Sequence, residues 1–223
     1  MHRRRRSSGA AVTRLDGRVE RGNRTRQSVL RRTVEIASVE GLEALSVGRL
    51  ATELGLSKSG VFALFGSKQE LQLATVREAS RVFAAEVVEP AATVPAGVGR
   101  LWRLCEAWLD YSERRVFPGG CFFYGVLAEF DAREGAVHDV LVEAQRYWTG
   151  HVEERVVEAR AAGELRADTD AEQLAFELIA LMESANALSV LHGETAVYRR
   201  ARTGIAGRLR AVAVDAALVP QVG

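Results

Sequence analysis

Cysteine is nearly missing from this chain: Cys105 and Cys121 are the only two among 223 residues. So small a number excludes a disulfide framework, and both read as small buried hydrophobes rather than redox centres. Runs of alternating apolar and polar residues bounded by hairpin turns are also missing, which excludes a sheet-based fold and leaves an all-α chain. No stretch reaches the 18 to 20 consecutive apolar residues of a membrane span, the densest being CFFYGVLA from Cys121. Arg3 to Arg6 is not followed by an apolar run of seven, so a secretory leader is not expected and the protein should be cytoplasmic, with no membrane partner. Chemistry is equally sparse. G-x-S-x-G is absent, and GLSKSGV fails as a phosphate loop because Val61 stands where the lysine must be. His151 and Glu154 lie at i, i+3 without a second pair, so no metal, no cofactor and no catalytic constellation is expected.

What the chain does have is a lopsided charge. Its formal net charge of +1 conceals eleven arginines in the first 32 residues against Asp16 and Glu20. Residues 1–23, rich in Arg, Ser and Gly and without a sustained period, read as a flexible basic arm. Such an arm either attracts phosphates, inserts Arg into a minor groove, or is simply a solvated tail.

Just beyond lies SVGRLATELGLSKSGVFALF, Ser46 to Phe65. Leu50, Ala51 and Leu54 share one face of a helix that Ser46 can cap. Gly55 can close it in the left-handed conformation, with Leu56 folding back as the apolar partner of the cap. Ser57 can cap a second helix whose buried anchors are expected to be Val61, Phe62 and Phe65. Two short helices joined by a Gly-containing turn describe a helix-turn-helix, whose second helix enters the DNA major groove N-terminus first. Lys58 suits a phosphate or guanine edge, Ser57 and Ser59 suit phosphates or bases, and Gly60 permits close approach. An ordinary link between two core helices is the plain alternative. Then comes Ser67 to Glu70, a capping box that opens a long helix at Lys68, expected to stop before Pro90.

From Arg24 to Leu73 the sequence resembles the N-terminal domain of the tetracycline-repressor (TetR) family of bacterial regulators. The match runs through SVLRRTVEIASVEG, LEALSVGRLATELGLS and SGVFALFGSKQEL. Phe62 stands where the family usually has Tyr, and Leu64 where it commonly has His. The resemblance implies DNA contacts at Ser46, Ser57, Lys58, Ser59, Gly60, Phe62 and Lys68, with Lys68 on a phosphate. It also implies a homodimer on double-stranded operator DNA, released by a small-molecule effector. The helix-turn-helix domain then spans residues 24–73, a helical effector-binding and dimerisation domain 74–215, and a frayed tail 216–223.

The second domain is well supplied with large side chains near its helix breaks. Trp102, Cys105 and Trp108 share one helix, and Phe117, Phe122, Phe123 and Tyr124 surround the break FPGG. Trp148, Met182 and Asn186 follow on later helices. By resemblance these enclose an effector pocket for a largely apolar molecule. Thr169 to Glu172 repeats the capping-box pattern and opens a helix apolar on nearly all sides, which must be covered on more than one. Leu174, Leu178, Leu181 and Leu188 on that helix, with Ile205 and Leu209 on the next, are the expected dimer contacts, because the family pairs its last two helices across a two-fold axis. A helical enzyme or interaction module with a merely structural helix-turn-helix is the alternative reading.

Overall fold

The computed structural model describes the backbone of residues 9–222 and the side chains from residue 22 onward. Among these residues there is no strand, only an isolated bridge between Leu165 and Ala213. The helices are α1 (Gly9–Glu40), α2 (Val47–Leu54), α3 (Lys58–Phe65), α4 (Lys68–Phe83), α5 (Glu89–Ala92), α6 (Val98–Glu113), α7 (Phe122–Phe130), α8 (Ala136–Ala161), α9 (Ala171–His192) and α10 (Ala196–Val212).

Local capping explains many of the boundaries. Ser46, Ser57 and Ser67 each sit in extended geometry and accept a hydrogen bond from the amide three residues on. Gly55 adopts φ 64°, and Leu56 N–H returns to the Ala51 carbonyl at 2.9 Å, the six-to-one bond of a left-handed cap. Where α1 crosses α4, Thr75 Oγ1 donates to Thr33 Oγ1 at 2.9 Å and Thr33 Oγ1 donates to the Leu30 carbonyl at 2.8 Å, so both buried hydroxyls are satisfied among Val29, Leu42, Leu50, Val61 and Leu71. Arg49 ties α2 to α1 through a bidentate pair with Glu40 (2.6 and 2.7 Å) and shares Glu53 with Arg32.

Four boundaries differ from the sequence reading. The arm expected over residues 1–23 is helical from Gly9, while residues 1–8 lie outside the described residues. Arg, Leu, Ala and Glu are good helix formers, and extending a helix already anchored by its buried half costs no new nucleus. Pro90 does not stop the long helix. A π-helical turn, Ala84–Val88, precedes it, and Pro90 falls in the first turn of α5, where a missing amide hydrogen is harmless. Asp170 rather than Thr169 caps α9, by accepting from Gln173 N–H at 3.1 Å. The tail is not frayed as far as residue 222: a 3-10 turn at Ala216–Leu218 lets Val219 bury itself, and Arg210 holds the Pro220 carbonyl at 2.6 Å.

In the larger domain α9 packs against α6, α8 and α10. By length and composition α9 could cross a membrane, contrary to the expectation that no segment comes near, but Leu174, Ala175, Leu178 and Met182 are buried in the protein core. Beneath it runs a polar network. Asn186 Oδ1 accepts from Ser112 Oγ and Cys121 N–H, both at 2.8 Å, and Tyr198 OH meets Ser189 Oγ at 2.7 Å and Arg115 Nη1 at 3.1 Å. On the far side Arg202 of α10 reaches Glu106, Asp110 and Glu113 of α6 at 3.1, 2.7 and 2.9 Å.

The expected dimer contacts are mostly core. Leu174, Leu178, Ile205 and Leu209 are fully buried within the single chain and Leu181 is partly covered, so of the six only Leu188 is exposed. The periodicity that marked them marks the intrachain face of α9 and α10 instead. The uncovered apolar side chains of α9 are Phe176, Leu188, Val190 and Leu191, with Phe176 and Leu191 exposed to 67% and 76%.

Candidate nucleic-acid interface and ligand cavity

At the tip of the smaller domain α3 offers a polar N-terminal turn. Ser57 Oγ accepts from Gly60 N–H at 3.0 Å and lies 3.3 Å from Ser59 Oγ, so both hydroxyls line the start of the helix. Gly60 is exposed, and the only atom close to where a side chain would begin is Ser57 Oγ. Lys58 is exposed and bonds to no described residue; its stem lies over Gly48 of α2. Together these groups give a helix N-terminus with an exposed cation and, since the Ser57–Ser59 contact uses one hydroxyl hydrogen, one hydroxyl hydrogen to spare, which suits an anion. Ser46 lies at the start of α2 with its hydroxyl occupied by Arg49 N–H.

Two of the expected contacts are differently placed. Phe62 is not a buried anchor but 56% exposed, while Val61 and Phe65 are buried in the core with Leu64 packed against it, and Arg26 stacks on Phe65 at 5.0 Å. The one-residue offset between 61 and 62 turns a side chain by about 100° on a helix, enough to take it from core to surface. Lys68 is not free: its ammonium donates to the Glu43 carbonyl at 2.8 Å and to Glu43 Oε2 at 2.9 Å. The anion that makes a lysine tolerable at a helix N-terminus is thus Glu43, whose carboxyl Lys68 and Gln72 hold below its ordinary range.

A cavity of about 460 Å³ opens in the larger domain among α4, α6, α7, α8 and α9. Of the residues expected in an effector pocket, Trp108, Phe123, Tyr124 and Trp148 line this cavity, together with Phe83, Leu127, Val140, Tyr147 and Glu183, which the sequence reading missed. Edge-to-face contacts hold its wall, Phe83 meeting Trp148 at 5.1 Å and Phe123 at 5.8 Å between ring centres. The other expected pocket residues stand elsewhere. Cys105, Phe117, Phe122 and Met182 are buried core outside the cavity lining, Asn186 is the hub of the polar network, and Trp102 sits beside Arg199 and Arg202 at the α6–α10 surface. Burial pushes the thiols up, Cys105 to about 12 and Cys121 to about 11, so neither is a ready thiolate. No group of three or more metal-ligating side chains occurs among the described residues.

Cavity and recognition helix are joined by shared elements. Helix α4 starts beside the α1–α2 loop at Lys68 and ends in the cavity wall at Ser80, Arg81 and Phe83. Helix α7 lines the cavity with Phe123, Tyr124 and Leu127, and two residues later Glu129 accepts from Leu42 N–H at 2.7 Å and Glu43 N–H at 2.9 Å. Gly41, at φ 85°, lies flat against the same carboxylate. Just before α7, Gly119 N–H donates to Ser38 Oγ at 3.2 Å, with the two backbones almost touching. Helix α7 and the turn before it thus contact the cavity on one side and the end of α1 and the entry to α2 on the other.

Models of known families match two stretches of the chain. The family model described as bacterial regulatory proteins, tetR family, matches residues 29–75, and the tetracyclin repressor-like C-terminal domain model matches residues 97–205. Among solved structures, a TetR transcriptional regulator from Chloroflexus aurantiacus superposes with TM-score 0.81 at 24% identity, covering 87% of this chain and 98% of that one. A putative transcriptional regulator from Saccharomonospora viridis, solved with choline, gives 0.72 at 21% identity, covering 86% and 98%. AibR, solved with isovaleryl coenzyme A and operator DNA, gives 0.66 at 16% identity, covering 81% and 95%. No curated protein matches the sequence significantly. The two family models account for both halves of the fold, and the chain belongs to the TetR family of bacterial transcriptional regulators.

Proposed function

We propose that the chain is a homodimeric repressor whose operator affinity falls when a small molecule with a largely apolar body fills the 460 Å³ cavity. The observation that carries this reading is the sharing of α4 and α7 between the cavity wall and the helix-turn-helix, through Phe83 and Lys68 on one and Phe123 and Glu129 on the other. A ligand that wedges α7 away from α4 pulls on Leu42 and Glu43 and so reorients α2 and α3. Lys58, Ser57, Ser59 and Gly60 meet the DNA in this reading, Phe62 packs against the sugar-phosphate edge, and Ser46 and Lys68 flank them. Choline and the coenzyme A thioester, bound by two neighbours of the same fold, support a small-molecule role for the larger domain. The four exposed apolar side chains of α9, Phe176, Leu188, Val190 and Leu191, support pairing with a second copy, because several uncovered on one helix offer an apolar surface that a symmetric interface would cover.

The test is selection of bound fragments from random duplex DNA with the purified chain, followed by affinity against salt for the enriched site. A two-fold symmetric site bound with steep salt dependence, weakened by Lys58→Ala, is expected. Absence of any enriched sequence, with salt-independent binding, refutes the DNA reading.

A further inference from the structure

The cavity is not neutral, and we propose that it selects a cation: an ammonium, tertiary or quaternary, carried on an apolar body, with Glu183 as its counter-charge. This rests on the cavity being the effector site. Glu183 of α9 lines the cavity together with six aromatic side chains, Phe83, Trp108, Phe123, Tyr124, Tyr147 and Trp148, among aliphatic and a few polar residues. It is half-buried, and no described residue donates a hydrogen bond to it or pairs with it. Its neighbours one turn away on α9 are Ile179, Ala180, Asn186 and Ala187, none of them basic.

The other charges at the cavity leave the balance negative. Arg81 of α4, the one basic residue among the described residues of the lining, bonds to Glu78 at 2.7 and 3.0 Å on the exposed rim rather than to Glu183. Glu143 of α8 stands exposed at the cavity and unpaired. Among the described lining residues of α6 and α7 there is no basic group at all.

Physical chemistry then ranks the ligand classes. A neutral apolar ligand strips remaining water from Glu183 and gives nothing in return, so the carboxyl must either stay charged without a partner or take up a proton. An anion adds repulsion to that cost. A cation supplies the missing partner and gains from surrounding aromatic rings, whose faces attract a desolvated ammonium. Burial pushes the Glu183 carboxyl above its ordinary range, and no described partner offsets that shift.

The experiment uses the full chain, tryptophan fluorescence and calorimetry, and three probes of one shape: benzyltrimethylammonium, its neutral carbon isostere 2,2-dimethylpropylbenzene, and benzylsulfonate. The cation is expected to bind at least tenfold more tightly than the isostere, and the sulfonate more weakly than either. Glu183→Gln should bring cation and isostere to within about twofold by weakening only the cation, while Glu183→Asp keeps the preference. Retained isostere binding shows that the Gln variant is folded, and the wild-type ranking tests the charge preference without any variant. Isostere binding as tight as that of the cation, or a preference that survives Glu183→Gln, overturns the cation assignment and leaves the cavity standing as an effector site. Failure of all three probes overturns the effector-site reading and the cation with it.

Discussion

The contact between Gly119 and Ser38 gives the sharpest test of how the two domains communicate. A Cβ placed on Gly119 would lie 2.5 Å from the Ser38 carbonyl carbon, 3.1 Å from Val39 N and closer still to the Ser38 oxygen. Carbon atoms rest at about 3.5 to 4 Å, so Gly119→Ala must push the backbones of the α7 approach and the α1 end apart by about 1 Å or more. Neither side can yield as a flexible side chain would, because both partners are main chain. Overpacking of this kind costs about 1 to 3 kcal/mol, and loss of the Gly119 N–H to Ser38 bond adds about 1 kcal/mol. At about 2 to 4 °C per kcal/mol for a chain of this size, the melting temperature should fall by roughly 5 to 15 °C. The functional effect is more specific. With the turn before α7 pushed off α1, occupation of the cavity loses one of its two routes to the recognition helix, and the coupling, typically about 5- to 150-fold, should shrink toward unity. Gly150→Ala in α8 is the control, since nothing lies within 4 Å of a Cβ there and the helix should gain up to about 1 kcal/mol. Operator affinity measured with and without the cavity probe decides the matter. A Gly119→Ala chain with unchanged melting and unchanged coupling would refute the claim that this contact transmits anything.

Other consequences can be measured separately. Lys58→Ala should cost about 1 to 3 kcal/mol at the selected operator, whereas Glu43→Gln should release Lys68 for phosphate and steepen the salt dependence by about one unit on any duplex; titrations at several salt concentrations distinguish them. Phe176→Ala should weaken self-association by about 3 to 6 kcal/mol, two copies at about 1.5 to 3 each, and sedimentation showing an undisturbed dimer would place the interface elsewhere. Arg202→Met strands Glu106, Asp110 and Glu113 together and should cost about 2 to 4 kcal/mol, less than a fully buried pair because Asp110 is partly hydrated; some of the loss should return as acid protonates Glu106, whose carboxyl burial already raises. The Glu183 carboxyl is raised on folding, so the folded chain holds its proton longer than the unfolded chain and stability falls as pH rises through the folded value. Glu183→Gln should therefore raise the melting temperature at pH 7 to 8 and leave it unchanged near pH 4, Arg81, Glu143, Tyr124, Tyr147 and Cys121 being the other titratable groups lining the cavity.

How much of this was legible in the sequence depends on how far apart the partners lie. Ser46, Ser57 and Ser67 cap helices three residues ahead, and Gly55 closes α2 beside its own Leu56, so the helix-turn-helix could be read from local pattern. The start of α6 could not. Its cap position is Gly97, at φ 142°, with no side chain of its own; Glu164, 66 residues away from Val98, accepts from Val98 N–H at 2.7 Å and fills the space where a Cβ would sit. Glu129 serves Leu42 and Glu43 in the same manner across 87 and 86 residues. In both places a glycine at positive φ admits a carboxylate that closes a long loop, and nothing in the local sequence announces either partner. The cavity was half legible for the same reason. Aromatic content marked Trp108, Phe123, Tyr124 and Trp148, but helical spacing alone could not separate them from Phe122 and Met182, which face the core. The informative residue was a polar one. An acidic side chain one position beyond buried Met182, in a helix with no basic residue one turn to either side, needs a partner from another element or from a ligand, and among the described residues no element supplies it.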